Sequence, residues 1–376
     1  MIRVSFICND NDVINKFRSA DEFNVEKTYM TLDDALSDNG TDLIIISDRT
    51  ISINELVSKS KLINEKFNKV YYMVSSENLD YNTKNILNQY GINMIPPKYT
   101  VQRIFEFICT KELNFVYDNN IVVFFGADNK VGTTMIAQTI AEIIAKNTDK
   151  KVLLAFMCGF PGTDYIKGKF PGNIDELKPR LLNKVLSESD IIAECRQVNN
   201  LYILEGVNNF LYRNEYLIED VEVLLNVISE NFDVVILDAG SNIELALCLG
   251  SLNASQNRFL VTTPQRKAFD NFQIIYDILY KLNISNFSLI INKFLPEFGQ
   301  AFEIADKYKF NLSCTLPYLY NGWQAELDRI PLYYCRDKNY CANMDILAEI
   351  VSKSVGIDLK LTFEKKNLKY FFKRRA

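Results

Sequence analysis

The run GADNKVGTT, Gly126 to Thr134, lies between the apolar stretch IVVFF and an amphipathic stretch that continues to Lys146. A glycine-rich turn that leaves a buried strand and opens a helix points backbone N–H groups and the helix N-terminus at one place, which suits a phosphate. The general pattern for such loops, GxxxxGK[ST], has a lysine after its last glycine. Here the segment reads Gly132-Thr133-Thr134, so the clamping ammonium is replaced by a hydroxyl. A charge-assisted contact contributes about 1.5–3 kcal/mol, or about one to two decades in affinity. Backbone donors, the helix terminus and a bound Mg²⁺ do not depend on that lysine. Lys130 is expected to restore part of the charge from within the loop. Two later runs bring polar groups to strand ends. DVVILDAGSN (233–242) reads as a buried strand ending in the carboxylate Asp238, and SLIINKF (288–294) ends a strand at Asn292.

What the composition lacks narrows the chemistry. Histidine is absent from all 376 residues, which removes Ser-His-Asp and Cys-His nucleophile systems, His-containing zinc sites and a phosphorelay histidine. Eight cysteines are scattered without a CxxC pair, several in apolar runs such as SFIC (5–8) and LALCLG (245–250). They read as small buried residues of a reduced compartment. The apolar fraction of 48% is enough to bury full cores. No apolar run approaches the roughly 18 residues needed to cross a bilayer, and no signal-peptide pattern opens the chain. A cytoplasmic protein is expected.

The elements that must position these residues fall into two alternations of strands and helices. The first, 1–112, has β-rich runs at 2–8, 23–30, 42–47, 69–75 and 92–96, with helical patterns near 11–20, 31–38, 53–66, 80–90 and 100–111. Strands separated by helices require crossover connections, so a parallel, doubly wound sheet is expected. The polar segment 113–120 reads as a linker. The second alternation, 121–357, has strands expected at 121–125, 151–156, 201–205, 233–238, 258–263 and 287–292. Several are nearly continuous apolar runs, as central strands covered on both faces must be. The fold class is therefore α/β, with two doubly wound parallel-sheet domains whose ligands should sit beyond the carboxyl ends of the strands.

The order of GADNKVGTT, DVVILDAGSN, VTTP (261–264), SLIINKF and TLPYLYNGWQAELDRIPLYY (315–334) resembles the ParA/MinD family of P-loop ATPases along nearly all of 120–357. That resemblance implies a variant of the deviant Walker A loop binding ATP and Mg²⁺. The family's KGGxGKT falls on Asp128, Asn129, Lys130, Val131, Gly132, Thr133 and Thr134. Asp128 then stands where the family has the lysine that reaches the partner's nucleotide, and Thr133 where it has the phosphate clamp. Thr134 and Asp238 are implied to hold Mg²⁺, Asn292 to hydrogen-bond adenine, and Pro317 to belong to the nucleotide pocket. The segment after the next strand, AFMCGFPG (155–162), has no carboxylate to place an attacking water. Binding with little hydrolysis is expected, because lost lysines and a lost acid remove transition-state stabilisation together.

The first alternation resembles the receiver domain of response regulators. Its first strand ends in Cys8-Asn9-Asp10, giving one carboxylate where a receiver has two, and its third ends at Ser47 with Asp48 one step later. A one-residue step turns a side chain to the opposite face of a strand, so Asp48 is expected to face away from a phosphoacceptor position. Ser75 fits the hydroxyl position, and Pro96-Pro97-Lys98 loosely matches the Lys-Pro pair. A docking module without phosphotransfer is the reading. Receiver-like and ParA/MinD-like domains in this order resemble the TadZ/CpaE family of pilus-assembly and polar-localisation proteins. This implies a homodimer that recruits pilus or secretion assembly proteins. A cycling MinD/ParA-type positioning ATPase is the alternative, and a DNA-partition protein a further one.

Net charge is −5, but the stretch 359–376 carries seven basic side chains and one acidic one, leaving −11 on the rest. The acidic body argues against specific nucleic-acid binding. Within 358–376, Leu368, Phe371 and Phe372 share one face of a drawn helix, while Lys366, Lys369, Lys373 and Arg374 lie mostly on the other. That pattern suits a membrane surface or an acidic partner, and it resembles the short amphipathic membrane-targeting helix at the same end of MinD-type proteins.

Overall fold

The computed structural model describes residues 2–37, 40–75, 83–113, 120–359 and 361. The tail positions Lys366, Leu368, Lys369, Phe371, Phe372, Lys373 and Arg374, and most of the 113–120 segment, lie outside the described residues. The chain divides into two compact units, Met1–Tyr117 with Ile275–Ser285, and Asp118–Ile274 with Asn286–Ala376.

The first unit begins with β1 (Ile2–Ile7), α1 (Asn11–Arg18), β2 (Phe23–Thr28), α2 (Leu32–Ser37) and β3 (Leu43–Ser47). It continues with α3 (Ile53–Ser58), α4 (Ser60–Lys66), β4 (Lys69–Met73), α5 (Thr83–Gln89), β5 (Asn93–Ile95) and α6 (Val101–Leu113). The sheet order is β2-β1-β3-β4-β5 with every pair parallel, a flavodoxin-like order. Strand β3, LIIIS, is buried along its whole length because helices cover both faces. On one face Phe17 packs edge-on against Phe6, Phe23 and Phe105. The single helix expected over 53–66 is two: Lys59, with ψ of 8°, ends α3 and begins α4.

The second unit opens with β6 (Ile121–Gly126), α7 (Thr133–Asn147), β7 (Val152–Phe156), α8 (Ile174–Leu182) and α9 (Glu188–Glu194). Then come β8 (Arg196–Val198), β9 (Leu201–Leu204), α10 (Ile218–Asn231), β10 (Val234–Asp238), α11 (Ala246–Ala254) and β11 (Asn257–Thr262). It closes with α12 (Arg266–Lys281, whose residues from Ile275 onward count with the first unit), β12 (Phe287–Phe294), α13 (Ala301–Lys307), β13 (Asn311–Pro317), α14 (Gly322–Leu327) and α15 (Lys338–Ser354). The sheet order is β13-β12-β11-β6-β10-β7-β9-β8. All neighbours are parallel except β8, which runs antiparallel to β9, so this sheet is mixed rather than wholly parallel. A two-residue connection, Asn199-Asn200 with Asn199 left-handed, makes that short hairpin. Neither β8 nor β13 was expected: both lie at the edges of this sheet, and with few or no fully buried residues neither forms an apolar run.

Central strands β6, β7 and β10 are buried throughout, which fixes the carboxyl ends of β6 and β10 side by side. Among the described residues no helix is long and apolar enough to cross a membrane. The expectation that all cysteines are buried is corrected: Cys335 is exposed and Cys158 and Cys341 are half-buried, because they lie in loops or on a helix flank rather than in strand cores.

Candidate functional site

The loop leaving β6 is fastened to both neighbouring strands before it turns. Gly126 N donates to Gly240 O at 2.7 Å, and Ala127 N donates to Val261 O at 2.8 Å. A side chain at Gly126 would lie 2.7 Å from Thr133 Oγ1 and 3.0 Å from Asp128 O, so only glycine lets the loop fold back over the strand end. Lys130 (φ 61°) and Gly132 (φ 98°) are left-handed, and the chain then enters α7 at Thr133. The first N–H groups of a helix have no partner within it, and with the helix dipole behind them they make the start of α7 suited to an anion.

Around that point the second unit assembles Thr134 and Asp238. Thr134 Oγ1 donates to Asp238 Oδ2 at 2.6 Å, and Gly240 N donates to Oδ1 at 3.1 Å. Asp238 is fully buried, and burial pushes its carboxyl up to about 6 despite those two hydrogen bonds. A buried carboxylate with a hydroxyl beside it, and among the described residues no cationic side chain bonded to it, is a place where a divalent cation relieves a desolvation cost. Among the described residues no group of three or more acidic or Cys side chains could hold a metal by itself. The chemistry of Thr134 and Asp238 fits a Mg²⁺ whose other ligands would be phosphate and water.

The remaining loop residues are tied to side chains of the same unit. Asp128 accepts from its neighbour's Asn129 N at 2.7 Å and from Asn271 Nδ2 of α12 at 3.1 Å. Asn129 Oδ1 accepts from Ser241 Oγ at 2.9 Å, which links the loop to the turn after β10. Val131 is buried, and its carbonyl accepts from Asn292 Nδ2 at 2.8 Å. Asn292 Oδ1 accepts from Lys293 N at 2.9 Å, so both polar ends of this buried side chain are spent on the protein. Thr133 is buried under the loop, while Lys130 is exposed. Pro317 ends β13 opposite Phe294. The site thus brings together Asp128 to Thr134, Asp238 and Asn292. Asn271, Ser241 and Lys293 are the partners that sequence reasoning missed; Ser241 and Lys293 lie inside the runs DVVILDAGSN and SLIINKF, whereas Asn271 had no signal.

The segment after β7 carries Cys158, whose thiol is pushed up to about 12 chiefly by burial, with the Asp238 charge adding to it. A side chain at Gly240 would meet Cys158 Cβ at 2.7 Å, so this segment lies directly against the Asp238 turn. Beyond it Phe160 is exposed, with the Arg213 guanidinium 5.1 Å above its ring.

In the first unit, a cavity of about 530 Å³ at the carboxyl end of the sheet is lined by Asp10, Asp48, Ser75 and Lys98 among others. Asp48 does not face away from it. Strand alternation stops at Ser47, the chain turns there, and Asp48 Oδ2 accepts from Ser75 N at 2.5 Å. Asp10 accepts from Asp12 N and Val13 N, capping α1.

No family model matches the chain. The septum site-determining protein MinD of Synechocystis is 24% identical over 192 residues, 48% of this chain and 67% of that protein. Among solved structures, a ParA family ATPase from Chlorobium tepidum aligns with a TM-score of 0.55 at 17% identity, covering 61% of this chain and 98% of that one. The Mg-ADP complex of MinD from Pyrococcus horikoshii aligns with a TM-score of 0.51 at 17% identity, covering 64% and 99%. These likenesses show that this part of the chain has the fold that those ParA and MinD structures share.

Proposed function

We propose that the second unit binds ATP with Mg²⁺ and turns it over slowly at most, so that nucleotide acts as a structural ligand of a recruitment hub. The observation that carries this reading is the Thr134–Asp238 pair, kept at 2.6 Å beneath a glycine-shaped loop in which both lysine positions hold other residues. Loop N–H groups receive the phosphates, and Thr134 and Asp238 hold the cation. A bound Mg²⁺ supplies charge neutralisation. The segment at 155–162 offers no carboxylate for water placement, and Asp128 is engaged with Asn271 rather than free to reach a partner. The Mg-ADP in the similar Pyrococcus MinD supports the choice of ligand. Titration of the full chain with ATP in the presence and absence of Mg²⁺, followed by assay of phosphate release, tests it.

The hub reading is TadZ/CpaE-like: a homodimer that recruits pilus or secretion assembly proteins, working in the cytoplasm, with the first unit as a docking module and the basic 358–376 segment reaching a membrane surface or an acidic partner. It is supported by the order of two α/β units and by the charge of the tail. Co-sedimentation with anionic vesicles tests the membrane contact; equal pelleting of the full chain and of residues 1–358 would sink it. A second reading, a cycling MinD/ParA-type positioning ATPase, is favoured by the sequence likeness to Synechocystis MinD. Sustained phosphate release would select it.

A further inference from the structure

Lys293 lies in a place that strand geometry alone does not give it. Consecutive residues of a regular strand point to opposite faces, so Asn292 and Lys293 should diverge. Instead the β12–β13 register shifts between Ile291 and Phe294, and Lys293 adopts a left-handed φ of 54°. Such irregularities re-aim side chains and recur beside functional sites. Here the result is that both side chains reach the phosphate-type loop: Asn292 Nδ2 donates to Val131 O at 2.8 Å, and Lys293 Nζ donates to Lys130 O at 3.1 Å. The Lys293 N to Asn292 Oδ1 bond locks the two together. They grip consecutive carbonyls at the one stretch of the loop where a non-glycine residue, Lys130, is held left-handed just before Gly132.

We propose that Lys293 is a positioning residue of the nucleotide site. Its ammonium holds the Lys130–Val131 turn from the neighbouring strand, and so keeps the loop's N–H groups aimed inward in a loop that lacks its own lysine clamp. The loop-holding role stands on the contacts above; its consequence for ATP rests on the proposed nucleotide function.

The test uses the full chain as wild type, K293M and K293R. Hydrogen exchange of the loop amides is measured without nucleotide, and ATP·Mg²⁺ affinity by calorimetry. In K293M the loop amides are expected to exchange about tenfold faster and ATP to bind about fivefold to tenfold more weakly, with the thermal midpoint unchanged. K293R, which keeps a cationic donor, is expected to restore both. Wild-type loop exchange in K293M, or no rescue by K293R, would overturn the proposal. Faster loop exchange with unchanged ATP affinity would overturn its nucleotide part. If the wild type takes up no ATP while K293M still loosens the loop and K293R still rescues it, the proposed function fails and the loop-holding role stands.

Discussion

The Thr134 hydroxyl donates to the Asp238 carboxylate at 2.6 Å, and that carboxylate is fully buried. Burial raises its pKa from 3.8 to about 6, so between those values the native state holds a proton that the unfolded chain has released. Stability contributed by this group therefore falls as pH rises through that window, reaching a cost of about 3 kcal/mol at neutral pH. In Mg²⁺-free buffer, Asp238→Asn is expected to raise unfolding free energy at pH 7.5 by about 1–3 kcal/mol and to flatten its decline between pH 4 and 6. The same substitution is expected to abolish the Mg²⁺-dependent part of ATP binding. Urea unfolding at several pH values checks the first effect and calorimetry the second.

Thr133 occupies the position where a phosphate-clamping lysine stands in the general loop pattern. Thr133→Lys should tighten ATP binding by about one to two decades. Phosphate release should stay low, because the segment at 155–162 still lacks a carboxylate. Side-by-side calorimetry and turnover measurements separate the two effects.

Gly132 has a φ of 98°, and a methyl group there would lie 2.4 Å from Asn292 Nδ2. Gly132→Ala must therefore strain the backbone and displace Asn292 from Val131 O, at a cost of about 1–3 kcal/mol. A lower urea midpoint together with loss of ATP binding is the expected outcome.

Cys335 is exposed, whereas burial pushes the Cys195 and Cys314 thiols up to about 12. Because the thiolate is the reactive form, a disulfide reagent should label Cys335 first in the native protein. Cys335→Ser is expected to remove that fast phase, and denaturation to expose the remaining thiols.

The parts legible in the sequence are those written in local, contiguous patterns. Apolar runs at Ile121–Gly126 and Val234–Asp238 identified the central strands, and the glycine spacing identified the loop that follows the first of them. The two edge strands of the second sheet were not legible, since no residue of Arg196–Val198 and only two of Asn311–Pro317 are fully buried, which leaves neither an apolar run. Asp48 was misplaced because alternation was extended one residue past the strand end, where the chain has already turned. The braces on the loop escaped notice for another reason. Asn271, Ser241 and Lys293 are ordinary polar residues 112 to 163 positions from their partners, and only the folded sheet brings them together.

The most direct test of the account is calorimetric titration of the full chain with ATP and Mg²⁺, with phosphate release followed in the same samples. The account predicts saturable binding that requires Mg²⁺, is lost in Thr134→Ala, and leaves the nucleotide largely intact over hours. Absence of binding heat, binding indifferent to Thr134→Ala, or sustained phosphate release would contradict it.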